Sequence, residues 1–280
     1  THVYKLSYSG ATVYHYELSA AWDVSTVSLT STTTFSEASG CRQLAISSNG
    51  DHMYFLDGGA TLFQYDLDTS WVASTRSYIG TQTFSGSTGS DYGIFVKPDG
   101  TRIYIKTGGA INVINLSTAY DLSSGSLVFG ETFPGSNYSQ IYPHDYMNGW
   151  SGLWFSADGT KMLTSDSSGF ISLFTLDTAW DLTPDIDPRH VVATSVIHRD
   201  MLDLGPPTSV ESPAMSADGL TLIVNDDSGE LIQIELDEAY LLGGLKSEEL
   251  SLSTNEYLGM CTISLIGIES STFIPRMITF

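Results

Sequence analysis

The sequence predicts an all-β protein, a five-bladed β-propeller closed by its N-terminal strands together with a C-terminal strand. Three observations predict it. One eleven-residue motif recurs five times. An Asn-Gly or Asp-Gly turn recurs four times between the copies. The two ends of the chain hold complementary parts of one further unit. Apolar and polar residues alternate with period 2, as strands require, and helical periodicity is absent.

The recurring motif occupies 13–23 (VYHYELSAAWD), 62–72 (LFQYDLDTSWV), 111–121 (INVINLSTAYD), 171–181 (ISLFTLDTAWD) and 231–241 (LIQIELDEAYL). Each copy shares one leucine: Leu18, Leu67, Leu116, Leu176 and Leu236. An aromatic residue follows four positions later: Trp22, Trp71, Tyr120, Trp180 and Tyr240. Internal repeats of this length point to blades or solenoid units. Five copies of one residue are usually architecture, so the aromatic is expected to plug a corner between neighbouring blades.

Between the copies an apolar run ends in a turn: LAISSNG at Gly50, IFVKPDG at Gly100, LWFSADG at Gly159 and PAMSADG at Gly219. Asn-Gly and Asp-Gly accept the positive φ of tight hairpins. A second strand follows each turn, at 52–56, 102–106, 161–165 and 220–224. Each unit thus reads as strand A before the turn, B after it, C carrying the leucine, and D in the Ser/Thr-rich run beyond the aromatic, as in 27–35 and 76–84. Four antiparallel strands per unit is the composition of a propeller blade.

The ends extend the pattern. Residues 1–6 (THVYKL) match a B strand and 260–266 an A strand. Joining them makes a fifth blade and removes the open sheet edges that invite aggregation. A single domain over 1–280 is expected, with units 1–36 plus 259–266, 43–85, 92–133, 152–199 and 213–253. Residues 267–280 remain as a C-terminal segment, either an extra strand on a blade or, through 269–280, a means of self-association. Cys41 and Cys261 start equivalent A strands on adjacent blades, so a disulfide locking the ring is expected, against a pair of buried thiols.

Composition bounds the partners. The formal charge is −21, from 11 Lys+Arg against 32 Asp+Glu. Such a surface repels nucleic acid and anionic membranes. No apolar run approaches the ~20 residues of a membrane-spanning helix. With no initiator Met and no signal peptide at Thr1, the chain reads as a processed product or an excised segment. The Ser/Thr/Gly/Tyr-rich, Lys-poor composition suggests an extracellular, cell-surface or virion location.

Function is expected where the copies differ. From the marker leucine to the next turn glycine there are 32 and 33 residues in the first two units and 43 in the next two. The reverse distance stays at 16 or 17. About ten extra residues therefore enter only the D-to-A connections of two consecutive units, on the face where propellers usually bind ligands. These connections, 134–152 and 185–211, hold Tyr138, Tyr142, His144, Asp145, Trp150, Arg189, His190, His198 and Asp200, together with Tyr146 and Arg199. Aromatic faces with carboxylates and guanidinium groups suit sugar recognition, so these residues are the candidate ligand-binding set, and the alternative is loops packed on themselves.

No metal or cofactor is expected. His144, His190 and His198 lack metal-ligand spacing. Asp185, Asp187, Asp226 and Asp227 are the candidate contacts for a calcium ion and read otherwise as solvated turns. No nucleophile elbow occurs, and the A-strand cores LAIS, GIFV, LWFS and AMSA hold no acid. Asp91 and Glu211, at the strand entrances, are the only candidates for a glycosidase carboxylate pair. Asn115 and Asn137 head N-x-S sequons, open to glycosylation in a eukaryotic or archaeal secretory pathway.

The unit, with its S-x-D-G turn, aliphatic-Tyr strand and Y-x-L-[SD]-x-A-W-D, resembles the repeats of YVTN and lactonase-like propellers. It is most similar to repeats of marine bacterial surface proteins and phage tail fibres. The resemblance covers nearly all of 1–266 and is specific for architecture. In blade number it is also similar to five-bladed lectins and glycosidases, without the inner-strand acids of the latter. For function the leading expectation rests on the enlarged D-to-A loops: a non-catalytic extracellular propeller that recognises glycan or a surface protein. The competing expectations are a structural subunit of a filament or virion appendage, and a glycosidase or lactonase.

Overall fold

A computed structural model describes residues 2–7, 11–59, 61–84, 91–107, 110–131, 152–165, 169–182, 193–198, 210–226, 231–236, 238–240, 242, 250–253 and 278–279. Among these, strands form five small sheets in chain order, with no helix beyond one-turn 3₁₀ segments. Sheet I holds β1 (His2–Ser7), β2 (Thr12–Leu18) and β3 (Val27–Thr34). Sheet II holds β4 (Cys41–Ile46), β5 (His52–Asp57), β6 (Thr61–Leu67) and β7 (Arg76–Thr83). Sheet III holds β8 (Asp91–Val96), β9 (Arg102–Thr107), β10 (Ala110–Leu116) and β11 (Gly125–Glu131). Sheet IV holds β12 (Leu153–Phe155), β13 (Lys161–Ser165), β14 (Phe170–Thr175) and β15 (Ala193–His198). Sheet V holds β16 (Val210–Met215), β17 (Thr221–Asp226), β18 (Leu231–Glu235), β19 (Leu250–Ser253) and β20 (Ile278–Thr279).

Each sheet is an antiparallel meander, B to D in sheet I and A to D in sheets II to V, and β20 joins β19 in parallel. The C-terminal Ile278 and Thr279 therefore add a strand to the outer edge of sheet V. The A strand expected at 260–266, and Cys261 within it, lie outside the described residues. Cys41 is a free thiol with no exposed surface. Burial pushes that thiol up to about 12. The anticipated disulfide is thus without support, and Cys41 serves as an apolar residue beside Phe35, Leu44 and Met53.

Strands A and B bury most of both their faces, and period 2 decides which neighbour each side chain meets. On β5, Met53 and Phe55 pack with Tyr4, Leu6 and Val13 of sheet I. Tyr54 and Leu56, alternating with them, pack with Ile94, Ile103 and Ile105 of sheet III. Tyr104 and Ile111 of sheet III meet Phe155 and Met162 of sheet IV. Leu163 and Leu173 of sheet IV meet Leu222 and Val224 of sheet V. A fifth cluster joins Ala214, Ile223 and Leu231 of sheet V to Val3, Leu18 and Val24 of sheet I. Burying a Leu, Ile or Phe is worth ~1.5–3 kcal/mol, so these inter-sheet layers are the main source of cohesion.

Candidate functional site

Two ends of the sheets are candidates, and the corner end is built most completely. There strand A turns into B, and C runs through its buried leucine into D. The four turn glycines take φ between +72° and +77°. The aromatic residues four after each leucine also sit at positive φ, between +58° and +69°, a region bulky residues rarely enter. Backbone bonds hold them there: the amides of Trp71, Tyr120, Trp180 and Tyr240 donate to the carbonyls of Gly50, Gly100, Gly159 and Gly219 at 2.8–3.0 Å. Each ring then lies flat on its own turn glycine, where a Cβ would come within 2.2–2.6 Å of ring atoms. The expected corner plug is therefore first a lid on its own hairpin.

The previous sheet supplies the other side of the same aromatic. Tyr4, Tyr54 and Tyr104 donate their hydroxyls to the carbonyls of Trp71, Tyr120 and Trp180, the latter two at 2.6 and 2.9 Å. The first residue of strand B also reaches across. His2 stacks on Trp71, His52 stacks on Tyr120, the Arg102 guanidinium donates to the Trp180 carbonyl, and the Lys161 ammonium lies 6.0 Å from the Tyr240 ring centroid.

Opposite that residue in the ladder stands a polar side chain of strand C: Glu17, Asp66, Asn115, Thr175 or Glu235. Two residues earlier on strand C lie His15, Gln64, Val113, Leu173 and Gln233. Where the residue is glutamine it does two jobs. Gln64 donates to Asp66 at 3.1 Å and accepts the amide of Leu122 from sheet III at 2.8 Å. Gln233 donates to Glu235 at 3.0 Å and accepts the amide of Val24 from sheet I at 3.1 Å.

Sheet I departs from this pattern and gathers three ligand-type side chains. His2 Nδ1 lies 2.9 Å from His15 Nε2 and 3.9 Å from Glu17 Oε1. One potential ligand atom from each falls within 4.8 Å of the others. His15 is 2% exposed and stacks on Tyr4 with centroids 4.5 Å apart. Its Nδ1 is buried with no hydrogen-bond partner among the described residues. Burial lowers the His15 imidazole to about 4 and also lowers His2. The sequence expectation of no metal ligands did not single out these residues; comparing strand C copy by copy would have, because His15 falls where other copies have Gln64 and Gln233.

At the opposite end, where D runs into A, inner strands approach closely. A Cβ on Gly93 would lie 2.9 Å from Leu153 Cβ, and one on Gly152 would lie 2.4 Å from Pro213 Cδ and from Ser212 Cα. Gly152 ends the first long connection and Ser212–Pro213 follow the second, so the roots of both touch. Of the expected ligand set, Tyr138, Tyr142, His144, Asp145, Trp150, Arg189, His190 and Asp200 lie outside the described residues, as do Asn137, Asp185, Asp187 and Asp227. His198 ends β15, opposite Phe170. Asp91 is the first residue of β8 and Glu211 the second of β16, at the strand entrances. Asn115 pairs with Ser126 near the end of β10.

No protein-family model matches the chain, and no curated protein matches it. Solved structures do resemble it. A functionally unknown protein from Desulfotomaculum acetoxidans aligns over 91% of this chain and 80% of its own at 12% identity, with a TM-score of 0.50. The β-propeller domain of Cps50 (Swd1) from Myceliophteria thermophila aligns over 86% of this chain at 11% identity, TM-score 0.46. A candidate 6-phosphogluconolactonase from Bacteroides uniformis aligns over 86% at 14% identity, TM-score 0.44. The aligned part spans 66% and 64% of those last two chains. At these identities the likeness is one of fold. The small antiparallel meanders that follow one another along the chain resemble the blades of a β-propeller. The sequence expectation of a non-catalytic chain is corrected: the similar structures include candidate 6-phosphogluconolactonases.

Proposed function

We propose that the five sheets are the blades of one closed ring, and that the ring is an extracellular recognition module for glycan or a surface protein. Closure is supported by sheet I standing to sheet V as sheet III stands to sheet II. The Val24–Gln233 bond repeats the Leu122–Gln64 bond, and a shared apolar cluster lies beside it.

The observation that carries the recognition role is the contact between Gly152 and Ser212–Pro213. It brings the ends of the two lengthened D-to-A connections together, which supports assigning recognition to the aromatic and polar residues that the sequence holds in those connections. Aromatic and polar side chains concentrated in one rim suit stacking on sugar faces with hydrogen bonds to hydroxyls. The exposed hydrophobic residues Leu29, Tyr78, Ile79 and Val128 sit on β3, β7 and β11, outer strands of three consecutive blades, and supply a side wall for neighbours in a surface assembly. A glycan array probed with the intact chain tests the recognition role. Binding that disappears in Trp150→Ala and Tyr142→Ala, with unfolding unchanged, supports it. Binding that survives both substitutions moves the site elsewhere.

A further inference from the structure

We infer that His2, His15 and Glu17 form a binding site for a divalent transition-metal ion of the zinc class, bridging β1 and β2 at the corner end of sheet I. The donor set is two imidazoles and one carboxylate, which suits zinc and its neighbours in the transition series and not calcium, whose ligands are oxygens. Strand geometry makes the set: His2 is the cross-strand partner of Glu17, and His15 lies two residues from Glu17 on the same face.

The spacing is close to what coordination needs. Tetrahedral zinc with bonds of about 2.0–2.1 Å places its ligand atoms about 3.3 Å apart. Two of the separations are 2.9 Å between the imidazole nitrogens and 3.9 Å from His2 to Glu17, so those two adjust by roughly half an ångström, and the third lies within 4.8 Å. The rings are already oriented, His2 by the Trp71 face at an interplanar angle of 2° and His15 by the Tyr4 face at 11°. Three protein ligands leave a fourth position, which faces solvent beside Glu17, whose side chain is 52% exposed.

The repeat supplies an internal control. In sheet II the same three positions hold His52, Gln64 and Asp66, and there the histidine and the glutamine both bond the carboxylate directly, at 2.7 and 3.1 Å. Among the described residues, only sheet I brings three such ligands together. The site lies at the end of the blade opposite the long connections, so it is separate from the proposed recognition rim and independent of it.

The test is calorimetric titration of the intact chain with Zn²⁺ at pH 7.5, with Co²⁺ spectra as a second readout. One equivalent is expected to bind, with ligand-field bands of tetrahedral Co²⁺. His15→Gln installs the residue that sheets II and V carry at this position, so folding should survive, and zinc affinity should fall at least 100-fold. Glu17→Gln, at an exposed position, should lower it at least 10-fold and serves if His15→Gln fails to fold. Absence of binding by the unaltered chain, or binding that neither substitution weakens, overturns the assignment.

Discussion

Replacing Gly159 by alanine sets a new methyl group against the indole that caps its hairpin. The ideal Cβ would fall 2.2 Å from Trp180 Cε2 and 2.3 Å from Cδ2 and Nε1. Two costs add. An alanine held at φ +73° costs about 1–2 kcal/mol against glycine. The ring must also leave its seat, although its backbone is pinned by the 3.0 Å bond from the Trp180 amide to the Gly159 carbonyl. Displacement strips the indole from Phe155, Phe95 and Tyr104 and from the Lys97 ammonium 5.8 Å from its centroid. Losing that packing costs about 2–3 kcal/mol. The total is ~3–5 kcal/mol, or roughly 6–20 °C in Tm for a chain of this size. A double-mutant cycle separates the parts. In a Trp180→Ala background the methyl group meets no ring, so Gly159→Ala should cost only the backbone share of ~1–2 kcal/mol. Denaturant unfolding of the four proteins measures the coupling, expected at about 2–3 kcal/mol. Equal costs in both backgrounds would refute the idea that the ring sits on the glycine.

Other outcomes follow from the same junctions. Tyr104→Phe removes the hydroxyl that joins β9 to the Trp180 carbonyl and should destabilise by ~1 kcal/mol in urea unfolding, with Tyr54→Phe doing the same at Tyr120. A negligible cost in both would show that these hydroxyls do not bind the blades together. Cys41, buried and with its thiol pushed up to about 12, should resist iodoacetamide at pH 8 in the folded chain and react fully in urea, read by peptide mass spectrometry. Rapid modification of the folded chain would place that strand at a surface.

The strand order within each sheet was legible in the sequence because every turn glycine precedes its marker leucine by 16 or 17 residues. Turn glycines and marker leucines keep their spacing whatever the connections do, and each lands where the repeat places it, with D strands at Val27–Thr34 and Arg76–Thr83. The corners were less legible. Positive φ is usually announced by Gly or Asn, and here Trp and Tyr adopt it, because the turn glycine beneath each ring leaves room for it. The bonds between sheets were invisible for another reason. Gln64 meets a backbone 58 residues away and Gln233 one 209 residues away, separations at which no local pattern survives. His2, His15 and Glu17 escaped notice because they read as ordinary alternation in two strands, and only the hairpin register makes them neighbours. The disulfide was expected from equivalent repeat positions and an oxidising compartment, and the structure shows only that Cys41 is buried in an apolar layer.

The contact between Val24 and Gln233 bears most directly on ring closure. In a selectively labelled sample, nuclear Overhauser effects are measured from the Gln233 side-chain amide to the Val24 backbone amide. The Gln64–Leu122 pair in the same spectrum provides the reference for two blades joined in this way. A closed ring predicts that both pairs give cross-peaks of comparable strength. A signal at Gln64–Leu122 with none at Gln233–Val24 would mean that the first and last sheets do not meet.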